Sequence, residues 1–369
     1  MSNAASLVFY IGVFLLSVLF VYWGSRKRAP RLKIALGNHH LTINPRLIIG
    51  VAIPILVAGL RQDVGTDFTS YLVEYNAATQ SGSYLEASFN IIANISNSIF
   101  GSPTFMFIVF SAMTVIPVML ALNKCSAIRK EYRWIFWMLF LFIMFPQTLN
   151  LLRQGVSVAI GFYLIVSIVE SRKLLSLSHV VWLLLAVSFH TSAWILILVG
   201  YVAHLMNNTK KKSIAAFIFV SSVMILVCFS ILPQLLNILG GAWSGYLDKD
   251  TISRGVIPRS LLILSILMIC WKFRGTLKIT NSYIALLWSG LLVSIGGLFV
   301  AYFERIGYYV TLLVPLLVLV VIAQNVSRNQ IRIVSLGVSV LALLYFIGVY
   351  YVMGSSDIFP YNFVQQGVA

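Results

Sequence analysis

Acidic residues are scarce in this chain. Only 10 of its 369 residues are Asp or Glu, against 26 Lys and Arg, and charged residues of both signs make up just 10%. A soluble domain carries about a quarter charged residues, so that class is excluded. Cysteine is scarce as well. Cys125, Cys228 and Cys270 form no C-x-x-C pair and none falls in an expected outer loop, so neither a disulfide framework nor a zinc site is implied. There is no internal repeat of the kind that many secondary transporters show, and residues 1–369 read as a single integral-membrane unit. Asp63-x-x-x-Asp67 and Asp248-x-Asp250 are loose carboxylate patterns, and the Arg and Lys beside them oppose a divalent cation. No metal and no cofactor are expected.

What the chain does have is apolar length. Hydrophobic residues make up 60% of it and the mean hydropathy is +0.94. Repeated apolar runs of about 20 residues read as membrane helices, giving an all-α polytopic protein of about twelve membrane segments. Basic clusters punctuate the runs at Arg26 to Lys33, Lys124 to Arg133, Arg172 with Lys173, Lys210 to Lys212, Lys272 to Lys278, and Arg328 with Arg332. The positive-inside rule assigns these to the cytoplasm. The excess of positive charge is thus a topology signal and an attraction to anionic membrane lipid, and no nucleic-acid partner is expected. The first run, Leu7 to Trp23, is followed rather than preceded by its charges, the reverse of a signal peptide, and reads as a retained helix with its N-terminus outside.

Charge also shapes two less regular regions. Val180 to Leu205 is flanked by two clusters that both belong inside, so a pair of short helices reversing near Phe189-His190-Thr191 is expected. Residues 61–102 contain a single basic residue, Arg61, and read as an outer loop with amphipathic helices, in which Asn90, Asn94 and Asn97 share one helical face. A second outer loop is expected over 233–258, carrying Trp243, Tyr246 and Arg254.

The basic residues left outside are mostly arginine: Arg61, Arg153, Arg254, Arg259 and Arg305, with Lys249. Arginine grips phosphate through two parallel N–H groups and keeps its charge in a dry site. Together with Asp63, Asp67, His190 and Glu304 they come from separate outer ends, as a cavity for a lipid-linked diphosphate would require. Simpler readings stand beside this one. Arg61 can pair with Asp63 or Asp67, Arg305 can pair with Glu304, Asp67 and His190 can cap helices, and Gln154 and the Asn stripe can bond neighbouring helices. Arg153 has no acid in its own helix before Glu170, so a ligand anion is its expected partner.

Arg61-Gln62-Asp63-Val64-Gly65-Thr66-Asp67 followed by Tyr71, then Leu152-Arg153-Gln154 with Ala159, then Phe189-His190-Thr191-Ser192-Ala193, resemble in order the motifs of EpsG-type exopolysaccharide polymerases, which are grouped with Wzy-type O-antigen and capsule polymerases. Weaker matches follow at Glu304-Arg305 with Gly307 to Tyr309, and at Phe359-Pro360-Tyr361; Phe68 replaces the more usual Tyr. The resemblance implies a GT-C-like glycosyltransferase of the bacterial inner membrane with its site facing outward. Its partner would be undecaprenyl-diphosphate-linked oligosaccharide, as donor and as acceptor, and a chain-length regulator protein is left open. Arg153, Arg305 and Arg61 would hold the diphosphate, with Asp67 or His190 at the acceptor hydroxyl and with Glu304 and Asp63 orienting the arginines. Tyr71, Gln154, Arg254 and Arg259 complete the expected substrate-binding set. A flippase of lipid-linked sugars, an O-antigen ligase and a membrane O-acetyltransferase are the alternatives.

Overall fold

A backbone immersed in hydrocarbon must satisfy its own hydrogen bonds, and the apolar runs of this chain accordingly fold as helices. The computed structural model describes residues 1–26, 32–36, 39–80, 82–207, 217, 220–223, 256–273, 277, 281–298, 304–327 and 329–364. Helix α1 covers Asn3–Ser25 and α2 covers Pro45–Gly59. Between them lies an antiparallel hairpin, β1 (Leu32–Leu36) and β2 (His39–Ile43), with Leu32 opposite Ile43. The sequence reading had only a basic cluster there. Helix α2 starts sharply because Asn44 accepts the N–H groups of Arg46 and Leu47, with Pro45 at the first helical position.

A two-residue strand, β3 (Arg61–Gln62), leads into the amphipathic pair α3 (Phe68–Gln80) and α4 (Ala87–Phe100). Next come α5 (Thr104–Lys124), α6 (Arg133–Leu139), a π-helical stretch (Phe140–Met144), α7 (Phe145–Thr148) and α8 (Leu152–Ser171). Helices α9 (Leu177–Phe189) and α10 (Ile195–Asn207) are joined by a 3₁₀ turn (Thr191–Trp194). This is the expected pair of short helices, reversing at His190. The rest is α11 (Val256–Lys272), α12 (Asn281–Gly296), α13 (Glu304–Thr311), α14 (Leu313–Asn325), α15 (Ile331–Tyr345), a second π stretch (Phe346–Val352) and β4 (Asn362–Phe363).

The chain is an all-α membrane protein, with 5 helices among the described residues long and apolar enough to cross a bilayer: α1, α5, α8, the α13–α14 run and α15 with its π extension. The expected twelve is a larger number, and several expected segments, α2, α9, α10 and α12 among them, are shorter apolar helices. The loop expected over 233–258, up to the start of α11 at Val256, lies outside the described residues.

Helix α8 is the central post, packed against α5, α9, α10 and α13. A buried polar chain ties three further helices: Trp137 Nε1 donates to Ser17 Oγ at 2.8 Å, and Ser17 Oγ donates to the Gly50 carbonyl at 2.5 Å. Gly50 permits that approach of α2 to α1, since a Cβ there would meet Val21 and the Ser17 carbonyl. The two π stretches meet as well. Phe142 packs edge-on against Phe346, and the Tyr350 hydroxyl donates to the Ile143 carbonyl at 2.5 Å, taking up an acceptor in the irregular turn.

The bundle has two distinct ends. At one, β3 pairs antiparallel with β4, the Gly65 N–H donates to the Asp357 carbonyl at 2.9 Å and the Tyr361 hydroxyl donates to the Val57 carbonyl at 2.9 Å. At the other, Asn44 Nδ2 donates to the Gly24 carbonyl at 2.6 Å and the Ser126 N–H donates to Glu170 Oε1 at 2.9 Å, beside Arg26, Lys124 and Arg172. The candidate residues collect at the first end.

Candidate active site

Helix α2 stops at Gly59 and the chain turns through Arg61 to Asp67 before α3 begins. Arg61 is 1% exposed. Its Nε donates to the Val64 carbonyl at 3.3 Å, Nη2 to the Leu149 carbonyl at 3.0 Å, and Nη1 to the Ala58 carbonyl. The rings of Phe107 and Phe68 lie 4.8 and 5.8 Å from the guanidinium. Burial lowers its pKa to about 10, which still leaves it charged at neutral pH. This geometry corrects the expected grip on diphosphate: Arg61 is a structural cation that satisfies carbonyls of α2, of the turn after it and of the link between α7 and α8. It also corrects the expected pairing with Asp63, which is exposed, at a φ of +51°.

Three elements meet at Glu86, the residue before α4. Its carboxylate accepts from His190 Nδ1 at 3.1 Å and from the Thr191 N–H at 3.2 Å, and it forms an ion pair with Arg153. Burial pushes the Glu86 carboxyl up, but the His190 hydrogen bond, backbone N–H groups and the Arg153 charge outweigh it and hold the pKa at about 2. Arg153 therefore has a protein partner, on a helix remote in sequence, where a ligand anion had been expected. His190 is placed by its backbone: it is the extended residue that ends α9, with its N–H donating to the Ala186 carbonyl at 3.1 Å. The Ser157 hydroxyl, one turn beyond Arg153 on α8, donates to that same carbonyl at 2.7 Å and fixes α9 against α8.

Asp67 lies within the electrostatic reach of both Arg153 and Arg305. Its carbonyl accepts the Tyr71 N–H at 3.0 Å at the start of α3, but among the described residues its carboxylate makes no capping hydrogen bond. Burial raises the Asp67 pKa, and the charges of Arg305 and Arg153 offset only part of that rise. The Tyr71 pKa is raised by burial, and the charge of Arg153 works against that rise. Gln154 is buried, and its Nε2 donates to the Arg305 carbonyl at 2.9 Å, so it fixes the first turn of α13 against α8. Asp67, Arg153, His190 and Arg305 thus converge from the turn before α3, from α8, from the α9–α10 reversal and from α13.

The family description that matches this chain is "EpsG family", over residues 47–363. The chain belongs to the EpsG family. Comparison with curated proteins and with solved structures returned no match. The matched span takes in every converging residue of this EpsG-family site, and membership points to a role in polysaccharide polymerisation.

Two further features of the EpsG-family chain bear on the site. Arg259, on the first turn of α11, is 3% exposed and stacks over Tyr308 at 4.2 Å, and its Nη1 and Nη2 have no hydrogen-bond partner among the described residues. Tyr308 lies one turn beyond Arg305 on α13. The Asn stripe, by contrast, bonds its own surroundings. Asn90 Nδ2 donates to the Ser83 and Leu85 carbonyls, Asn94 Nδ2 to the Ala78 carbonyl, and Asn97 Oδ1 accepts from the Tyr75 hydroxyl. Arg254, Trp243, Tyr246 and the side chain of Glu304 lie outside the described residues. Glu86 is the residue sequence reasoning missed. Its one available signal is that it is the last acid before a long stretch that has none until Glu131.

Proposed function

We propose that the protein is a GT-C-like membrane glycosyltransferase that polymerises oligosaccharide repeat units carried on undecaprenyl diphosphate. It transfers the growing glycan from one lipid diphosphate to the non-reducing end of a new lipid-linked unit. The convergence of Arg153, Arg305, Asp67 and His190 from four segments at one end of the bundle carries this reading. The leaving group is already activated, so the work left to the protein is to stabilise charge building on the diphosphate and to take a proton from the acceptor hydroxyl.

Two arginines facing Asp67 and Glu86 are already balanced in charge, so an incoming diphosphate needs more positive potential than they provide. Arg259, whose Nη1 and Nη2 have no hydrogen-bond partner among the described residues and which stacks on Tyr308, one turn beyond Arg305, would supply it. Arg153 and Arg305 would complete the cradle, and Asp67 or His190 would face the acceptor. The site would open to the outer face of the bacterial inner membrane, with a chain-length regulator protein as a partner.

Incubating the purified protein in liposomes with lipid-linked repeat units tests this. Longer lipid-linked chains support a polymerase, transfer to a lipid A core acceptor would make it a ligase, and movement without covalent change would make it a flippase. Arg153→Ala and Arg305→Ala are expected to abolish the polymer ladder with protein still present in the membrane. Normal ladders from both would end the diphosphate assignment.

A further inference from the structure

We infer that Glu86 is a positioning residue for His190: it holds the imidazole as the Nδ1–H tautomer, so that Nε2 is the group that takes the acceptor proton. The inference rests on the polymerase reading for the reaction, and on geometry for the tautomer. An ionised carboxylate only accepts hydrogen bonds. With its pKa near 2, Glu86 is ionised throughout the physiological range, so the 3.1 Å contact from His190 Nδ1 requires the hydrogen to sit on Nδ1. In a neutral imidazole that leaves the lone pair on Nε2. Among the described residues no hydrogen bond engages Nε2, and the His190 side chain is 23% exposed, which leaves Nε2 as the ring nitrogen uncommitted to the protein.

The carboxylate is itself held. Thr191 N–H shares Oε1 with His190, and Arg153 takes Oε2. Three donors thus meet two oxygens, and the carboxylate cannot turn away without leaving one of them unsatisfied. Asp67 lacks such a frame: the charged groups facing it are two cations, Arg305 and Arg153, and among the described residues no donor holds its carboxylate in one orientation. In the reaction, the acceptor O–H bond breaks to Nε2, and the freed oxygen pair forms the new bond at the anomeric carbon. The bond from that carbon to the diphosphate oxygen breaks, and its electron pair leaves with the lipid diphosphate. His190 then returns its proton to solvent.

Glu86→Gln separates this role from a merely structural one. A carboxamide has one acceptor oxygen for three donors. With that oxygen on Arg153, its NH₂ group faces His190 and reverses the tautomer. The experiment uses full-length protein labelled with ¹⁵N-histidine in lipid nanodiscs at mildly alkaline pH, with the His190 signal identified by its loss in His190→Asn. Wild type is expected to show the Nδ1–H form and Glu86→Gln the Nε2–H form. Turnover of lipid-linked repeat units by Glu86→Gln is expected to fall about 10²-fold in kcat, the share typical of a general base, with KM little changed. A fall in kcat with the Nδ1–H signal intact would overturn the inference, because Glu86 would then act through Arg153 or through folding. Undiminished kcat would overturn it too. If wild type turns over no lipid-linked unit, the polymerase reading fails, and the tautomer comparison alone decides whether Glu86 positions His190.

Discussion

Arg61 and Arg153 show how differently one residue type can be used within a single site. Both stand in motifs and both face the same end of the bundle, yet Arg61 is engaged by three carbonyls and Arg153 by a carboxylate. Arg61→Ala would leave the carbonyls of Ala58, Val64 and Leu149 buried without a donor, at a cost on the order of 3 kcal/mol. Arg61→Lys is expected to recover only part of this, since an ammonium lacks the planar fork that reaches three directions. Thermal unfolding in detergent should therefore show both variants less stable than wild type, with Lys above Ala. An Arg61→Ala protein of wild-type stability that fails to polymerise would return Arg61 to the ligand site. The residue types were legible in the sequence, but their partners were not. A guanidinium that bonds backbone leaves no complementary acid to find, and Glu86 is brought to Arg153 only by the packing of α4 against α9 and α5.

At the level of elements, the turn between α2 and α3 depends on Gly65. Its φ of +96° suits only glycine, and a Cβ there would run into the Asn150 side chain. Asn150 cannot retreat freely, because its Nδ2 donates to Thr66 Oγ1 and to the Ser356 carbonyl, both at 3.0 Å. Gly65→Ala is expected to destabilise the fold by about 1–2 kcal/mol from backbone strain alone. Adding Asn150→Ala should relieve the collision and not the strain, so the double variant should still melt below Asn150→Ala; equal melting points would show that the turn tolerates a side chain. Elements were legible wherever charge constrained them. The α9–α10 reversal follows from two flanking basic clusters that both belong on one side. The β1–β2 hairpin escaped because its residues sit within a basic segment read only for topology, and the π stretches escaped because an extra residue in a helical turn changes no hydropathy.

At the scale of the whole molecule, the described basic residues Arg26, Lys124 and Arg172 lie at the end opposite the candidate site, and the sidedness this predicts can be read by labelling. Cys125 and Cys270 are buried, which keeps their background low. Tyr84 is 87% exposed at the site end and Ser126 is exposed at the other. With Cys228 replaced, a cysteine placed at Tyr84 is expected to react with an impermeant maleimide on intact cells, and one placed at Ser126 only after permeabilisation. The opposite pattern would invert the orientation. The same end of the bundle is closed by residues far apart in the chain: Tyr361 reaches Val57, and Asn362 pairs with Gln62. A ribosome must therefore have translated almost all of this sequence before the first motif can be locked in place. Nascent chains arrested ahead of that point would present an unfinished end of the bundle to quality-control proteases, so premature stop codons even within α15 should be read out as protein loss rather than as a shortened but stable product.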